Sequence, residues 1–267
     1  MSEDVVLYEF REPGIAILTL NRPDRLNAWT GEMAVQYFDL LDRCAADPAV
    51  TVIVVTGAGK GYCAGADMVT LQDIGSSQGT PSGGAASAGR PQYFTTLVPK
   101  PVIAAINGAC AGMGMAQALM CDIRFAAAGA KFTTAFSRRG LISEWGISWT
   151  LQRLVGHARA ADLLFSGRVF LAEEAASMGL VNAVVEPQRL LEHTLEYATD
   201  MAINASPTSM AVMKRQLYAD WDRPLISAHD DAIRLMVESF GRPDFAEGVA
   251  SYLQKRPPQF GPVSPDA

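Results

Sequence analysis

The chain has 267 residues, 49% of them hydrophobic and 19% charged, with a formal net charge of −6. That is enough apolar material for one large domain, or for a core with an appendage. The 22 basic residues are scattered rather than clustered, which argues against nucleic acid as a partner.

The N-terminus, MSEDVVLYEF, carries acids where a signal peptide needs bases, so no leader is expected. VVLYEFR (5–11) and GIAILTL (14–20) read as a strand hairpin turned at Glu12-Pro13. NRPDRLNAWT is a loop with a Pro-Asp turn, and Thr30 is a cap for a helix through MAVQYFDLLDRCA. VTVIVVTG (50–57) is a continuous β-branched run, the pattern of a strand covered on both faces. PVIAAIN (101–107) is a second such run and VNAVVE (181–186) a third. Strands alternating with helices predict an α/β fold of repeated ββα units with mostly parallel inner strands.

Residues 75–91, GSSQGTPSGGAASAGRP, are low in complexity and nearly uncharged, and read as a mobile surface insertion or lid. From Pro101 to Cys121 there is no charge at all. The stretch divides at Asn107-Gly108 and contains Pro101 and Gln117, so a buried strand followed by a buried helix fits better than a membrane span. From about Pro187 onward the pattern is wholly helical, with Ser206-Pro207 as one clear helix start. Its apolar stripes need a surface to bury against, which predicts oligomerisation. The boundaries expected are a core over 1–190 and a helical region over 191–267. The four cysteines, Cys44, Cys63, Cys110 and Cys121, show no C-x-x-C pattern and read as reduced thiols of a cytoplasmic protein.

Two glycine-rich stretches carry the chemistry. GAGKGYCAGAD (57–67) fails as a phosphate-binding loop, because Lys60 is followed by Gly61 and not by Ser or Thr. GACAGMG lacks the G-x-G-x-x-G dinucleotide spacing. No G-x-S-x-G elbow exists, and His157, His193 and His229 have no metal spacing. What remains is two similar constructions: a buried strand, a glycine-rich turn, then a helix. Two N–H groups at such turns, brought together, would hold a carbonyl oxygen that becomes anionic. Plain strand-to-helix turns would give the same local pattern.

NRPDRLNA, YCAGAD, PVIAAINGACAGMGMAQALMCD, GLISEWGISWTLQRLVG and DFAEGVASYLQKRPPQF resemble, in order and over nearly the whole chain, the enoyl-CoA hydratase/isomerase (crotonase) family. The resemblance implies a crotonase-like spiral of ββα units with a C-terminal helical trimerisation region. It also implies a homotrimer or homohexamer acting on an acyl-CoA, with coenzyme A as part of the substrate and no other cofactor or metal. The family hosts many reactions, so the motifs speak less to the reaction than to the fold.

By resemblance, the two oxyanion N–H donors are those of Ala66 and Met113. The family's two hydratase glutamates fall at Ala116 and Phe136 here, where neither side chain can hold water or move a proton. Glu144 matches a position where divergent members carry a catalytic acid, and Trp145 and Phe136 nearby would raise its pKa. The other reading of that stretch is a helix capped by Ser143, with Glu144 favouring its positive end. Arg25, Ala64, Asp67, Met68, Lys100 and Lys255 are the expected contacts for coenzyme A, Lys255 reaching a neighbouring subunit's ligand. Asp67 equally suits a turn-shaping role. Asp122 reads as structural, paired with Arg124 or a loop amide, and Cys63 as a small buried residue. Arg138 and Arg139 face either the acyl pocket or solvent. Phe136, Trp145 and Trp149 suggest room for a bulky or aromatic group, although aromatic residues also simply pack.

The expected activity is proton transfer or double-bond isomerisation by Glu144. Hydration by Glu144 alone and a non-catalytic acyl-CoA-binding homologue are the alternatives.

Overall fold

Val6–Arg11 (β1) and Ile15–Leu20 (β2) pair antiparallel across the Glu12-Pro13 turn, as the apolar pattern predicts. The computed structural model describes residues 4–69, 71–72 and 89–264. Most of the low-complexity stretch expected at 75–91 lies outside them.

Thr30 starts the helix Gly31–Ala46 (α1), its hydroxyl accepting from the Met33 amide at 3.2 Å. The buried face of α1 is Met33, Ala34, Tyr37, Phe38, Leu41 and Cys44, a helical stripe set against the sheet. Val52–Gly57 (β3) and Val102–Ile106 (β5) are buried at every residue, as continuous β-branched and small-apolar runs require in a parallel sheet.

Each long strand turns within a few residues into a short one. β3 leads to Gly61–Cys63 (β4), and β5 to Ala109–Ala111 (β6). Ile123–Ala127 (β7) leads to Lys131–Thr133 (β8). With Phe170–Leu171 (β9) and Ala183–Val185 (β10), they form two sheets among the described residues. The larger has the order β1-β2-β3-β5-β7-β10 and the smaller β4-β6-β8-β9. All pairings from β2 to β10 in the larger sheet are parallel, as are β4–β6 and β6–β8. The chain thus steps from one sheet to the other and back, which is the expected spiral of ββα units. β4, β6, β7, β8 and β9 are additions to the sequence reading. A three-residue strand such as β6 or β8 is too short to show a period, so the glycine-rich turn at 108–112 hid one.

Between the strands lie the short helix Phe94–Leu97 (α2), Met113–Met120 (α3), Ile147–Val155 (α4), His157–Ser166 (α5) and Ala172–Ser177 (α6). All eight residues of α3 are buried. Among the described residues no helix is long and apolar enough to cross a membrane, and 101–121 divides into β5, β6 and α3.

The helical C-terminal part comprises Leu190–Asn204 (α7), Pro207–Asp220 (α8), Leu225–Phe240 (α9) and Pro243–Gln254 (α10). Ser206 caps α8 by accepting from the Ser209 amide. The first helix of this region, α7, lies against β2, β3, β5 and β7. His193 and Tyr197 on α7 meet Phe125 edge-on at 4.9 and 5.2 Å. This face covers the sheet. The later helices leave Leu217, Leu225, Ile226, Val237 and Tyr252 exposed.

Candidate active site

The parallel pairing of β4 with β6 sets Cys63 beside Cys110. The segments leaving those strands, 64–67 and 112–114, therefore run side by side. Glycine permits the contact. A Cβ on Gly65 would come 3.2 Å from the Ala111 carbonyl oxygen, and Gly65 holds φ +107. Gly112 precedes α3 at φ +46, which turns the chain into the helix.

In the first turn, the Trp29 amide donates to Gly65 O and the Asp67 amide to Trp29 O, which leaves the Ala66 N–H outside the bridge. In the second, Met113 is the first residue of α3, where an amide has no partner within its helix. Neither the Ala66 nor the Met113 N–H has a hydrogen-bond partner among the described residues. Both residues border a cavity of about 220 Å³. Two free N–H groups, one at the positive end of a helix, make a site for a developing oxyanion.

Asn27 underpins the first turn. Its fully buried side chain donates to the Ala58 and Gly61 carbonyls and accepts from the Arg22 amide. Arg22 in turn donates to Ala28 O at 2.6 Å and to the Asp67 carboxylate at 2.9 Å. The Arg22 hydrogen bond holds the Asp67 carboxyl below the ordinary carboxylate value, and the Val69 amide adds to it. Asp67 thus lines the cavity and shapes its turn at the same time.

Glu144 lines the same cavity, half-buried. Burial raises its carboxyl above the ordinary value, and the neighbouring Trp145 side chain opposes the rise. The cap by Ser143, the alternative reading, does not form. Gly146, at φ +72, precedes α4, and the Ser143 hydroxyl is buried without a partner among the described residues. Trp145 itself has φ +57, so two successive left-handed residues turn the chain between Glu144 and the helix. A non-glycine residue held there points to a constrained position at a working site.

Arg25, Ala64 and Met68 also line the cavity, together with Phe136, Leu141, Thr134 and Arg139. Arg138 turns away and donates to the Ser166 carbonyl. Ala116 is buried and is not part of the cavity wall, while Phe136 is part of it. No carboxylate stands at either position.

Lys100 requires a correction. It is 2% exposed, and its Nζ donates to the Cys44 and Asp47 carbonyls at 2.6 Å each, closing the C-terminal end of α1. Unpaired carbonyls at a helix end attract a cation, so this lysine caps α1 and is unavailable to a phosphate. Lys255 is exposed just past α10 and does not line the cavity of its own chain. Asp122 accepts from the Val102 amide and pairs with Lys214, each at 2.8 Å, whereas Arg124 turns to the Leu180 carbonyl. Cys63 is buried, and burial pushes its thiol up to about 12, which leaves no thiolate for nucleophilic work. No group of His, Cys, Asp and Glu among the described residues is placed to hold a metal.

Sequence reasoning missed Thr134, which lies outside the quoted motifs, and Leu141, which lies inside GLISEWGISWTLQRLVG but has no polar group to mark it.

Residues 11–262 match a family model described as enoyl-CoA hydratase/isomerase. A 1,2-epoxyphenylacetyl-CoA isomerase of Escherichia coli is 36% identical, over 93% of this chain and 95% of its own. A probable enoyl-CoA hydratase of Mycobacterium leprae is 34% identical, over 95% of this chain and 89% of its own. Among solved structures, an enoyl-CoA hydratase from Mycobacterium marinum is 54% identical with a TM-score of 0.71, covering 83% of this chain and 100% of its own. A probable enoyl-CoA hydratase/isomerase from Mycobacterium abscessus reaches a TM-score of 0.89 at 34% identity, covering 96% of this chain and 98% of its own.

Proposed function

This chain belongs to the enoyl-CoA hydratase/isomerase family, an acyl-CoA-processing enzyme of the crotonase type, and from that premise we propose that it moves a double bond by proton transfer through Glu144. The observation that carries the proposal is Glu144 sharing one cavity with two free N–H groups, the other lining carboxylate, Asp67, being tied to Arg22, while Ala116 and Phe136 stand where a hydratase needs glutamates.

The thioester oxygen accepts from the Ala66 and Met113 amides. That acidifies the carbon next to the thioester carbonyl, or the carbon conjugated to it. Ionised Glu144 takes a proton there, and the electron pair passes into an enolate held by the two amides. Protonated Glu144 then returns the proton to the other end of the conjugated system. No atom is gained or lost, so one acid/base suffices. Hydration needs a group to hold water as well as one to move the proton, which favours isomerisation over hydration here.

Coenzyme A enters as part of the substrate, past Arg25, Ala64, Asp67 and Met68 at the cavity wall. The exposed apolar residues of α8 to α10 support a homotrimer or homohexamer. Lys255 would then serve the ligand of a neighbouring subunit. Four buried free cysteines suit a reducing cytoplasm.

The test is to incubate the enzyme with 2-enoyl-, 3-enoyl- and aryl-acyl-CoAs in deuterated water beside Glu144→Gln, following products by mass. Bond migration or deuterium uptake lost in the variant supports the reading. Hydration that survives the substitution overturns it.

A further inference from the structure

A second cavity, of about 460 Å³, is lined by Trp145, the residue that follows Glu144 in the chain. Glu144 lines the first cavity and Trp145 the second, so two consecutive residues reach the two spaces. The catalytic cavity is below the range of about 300–1,000 Å³ usual for small-molecule sites, and the second lies within it. On the acyl-CoA reading the first cavity has room for the thioester and its reacting carbons but not for a large acyl group as well.

The walls of the second cavity say what such a group would be. Trp145, Trp149, Tyr93, Tyr218 and Met120 leave it almost wholly apolar. The inner wall is fixed. Tyr218 donates to Asp122 at 3.2 Å, and Asp122 is held by Lys214 at 2.8 Å. Trp149 packs edge-on against Trp221 at 4.7 Å, with the Arg153 guanidinium 4.1 Å from its ring centre. Trp145 is different. Its indole Nε1 is buried and has no hydrogen-bond partner of good geometry among the described residues. Its ring is held by packing and by its left-handed backbone, with the Glu144 carboxyl as its one polar neighbour. Rigid aromatic walls favour rings, which offer edge and face contacts and lose little rotational freedom on binding.

We propose that the second cavity receives an aromatic or alicyclic ring at the far end of the acyl group, with Trp145, next in the chain to Glu144, as one of its aromatic walls. The inference rests on the acyl-CoA reading of the first cavity but not on the reaction assigned to Glu144.

The test uses the full-length protein and saturated thioesters, which bind without reacting. Calorimetric affinities are compared for acetyl-, decanoyl-, cyclohexylacetyl- and phenylacetyl-CoA, in the unaltered protein and in Thr96→Trp, Trp149→Ala and Glu144→Gln. Thr96→Trp fills the cavity, Trp149→Ala widens it, and acetyl-CoA is the internal reference because it is too short to reach it. Ring thioesters should bind at least tenfold more tightly than acetyl-CoA. The preference should fall to near one in Thr96→Trp and shrink in Trp149→Ala, but persist in Glu144→Gln. Equal affinities for acetyl- and ring thioesters overturn the proposal, as does a preference that survives Thr96→Trp. Decanoyl-CoA binding as tightly as the rings overturns the ring assignment. Because no proton transfer is read, ring preference without deuterium exchange would fault the reaction assigned to Glu144 and leave this inference standing.

Discussion

Gly114 faces the Cys63 carbonyl so closely that a Cβ added to it would stand 2.2 Å from the oxygen. The helix α3 can reach β4 only because that Cβ is missing. The approach brings the Met113 amide, one residue earlier, alongside the turn that carries Ala66. The substitution Gly114→Ala should destabilise the fold by about 1–3 kcal/mol, as overpacked cores do. It should also cost about 10²-fold or more in rate, because a small displacement of one oxyanion donor removes its contribution. Urea denaturation and turnover measured on the same preparation check this. A fully active, fully stable variant would show that the two turns need not touch.

Glu144 should show opposite pH signatures in rate and in stability. As a base it must be ionised, so kcat/KM should rise with pH through a pKa above the ordinary carboxylate value. Its carboxyl is raised in the fold by burial, so the native state binds more protons than the unfolded chain around that pKa. Its contribution to stability is therefore greatest below the unfolded value and declines as pH rises through the folded one. Glu144→Gln should remove both slopes and lower the rate by about 10²–10⁴-fold. A pH–rate profile beside denaturant midpoints at matched pH reads them.

Arg22 should matter to both rate and stability. Its guanidinium ties Ala28 O and Asp67 together across the turn that presents Ala66. Asp67 is buried and would lose its charged partner, and Ala28 O would lose its donor, so Arg22→Met should destabilise the fold by about 1–3 kcal/mol. A loosened donor turn should still lower turnover by up to about 10²-fold. The Asp67 carboxyl is depressed by Arg22, so this pair stabilises above the unfolded carboxylate pKa and fades as pH falls through the folded one. The variant should flatten that acid limb.

The thiols should be silent. All four cysteines are buried, and burial pushes Cys63 and Cys121 up to about 12 and Cys44 to about 11. A thiol-reactive dye at neutral pH should find almost no fast-reacting group in the native enzyme and four after denaturation. Rapid modification of Cys63 with loss of activity would contradict its burial.

The local grammar of the chain was legible from residues alone. Thr30 and Ser206 mark helix starts because a side-chain oxygen replaces a missing backbone partner. The runs ending at Gly57 and Ile106 announce strands covered on both faces. The two strand–glycine–helix constructions, with Ala66 and Met113 at their turns, came from motif and order. The roles of Ala66 and Met113 as donors and of Glu144 as acid/base, and the vacancies at Ala116 and Phe136, came instead from the resemblance to the enoyl-CoA hydratase/isomerase family. The caps, runs and turns are patterns over a few residues, where covalent geometry and solvent contact act directly.

What only the tertiary structure decided depends on residues far apart in sequence. Cys63 pairs with Cys110 across 47 positions, and that parallel register alone brings the two donor turns together. Lys100 resembled a phosphate ligand until the end of α1 was seen lying against it. α7 lies against the sheet because the strands offer its face a surface. The second cavity exists only because Tyr93, Met120, Trp149 and Tyr218 converge from four segments. No periodicity encodes such a convergence, since it arises when hydrophobic burial and backbone pairing are satisfied together over the whole chain.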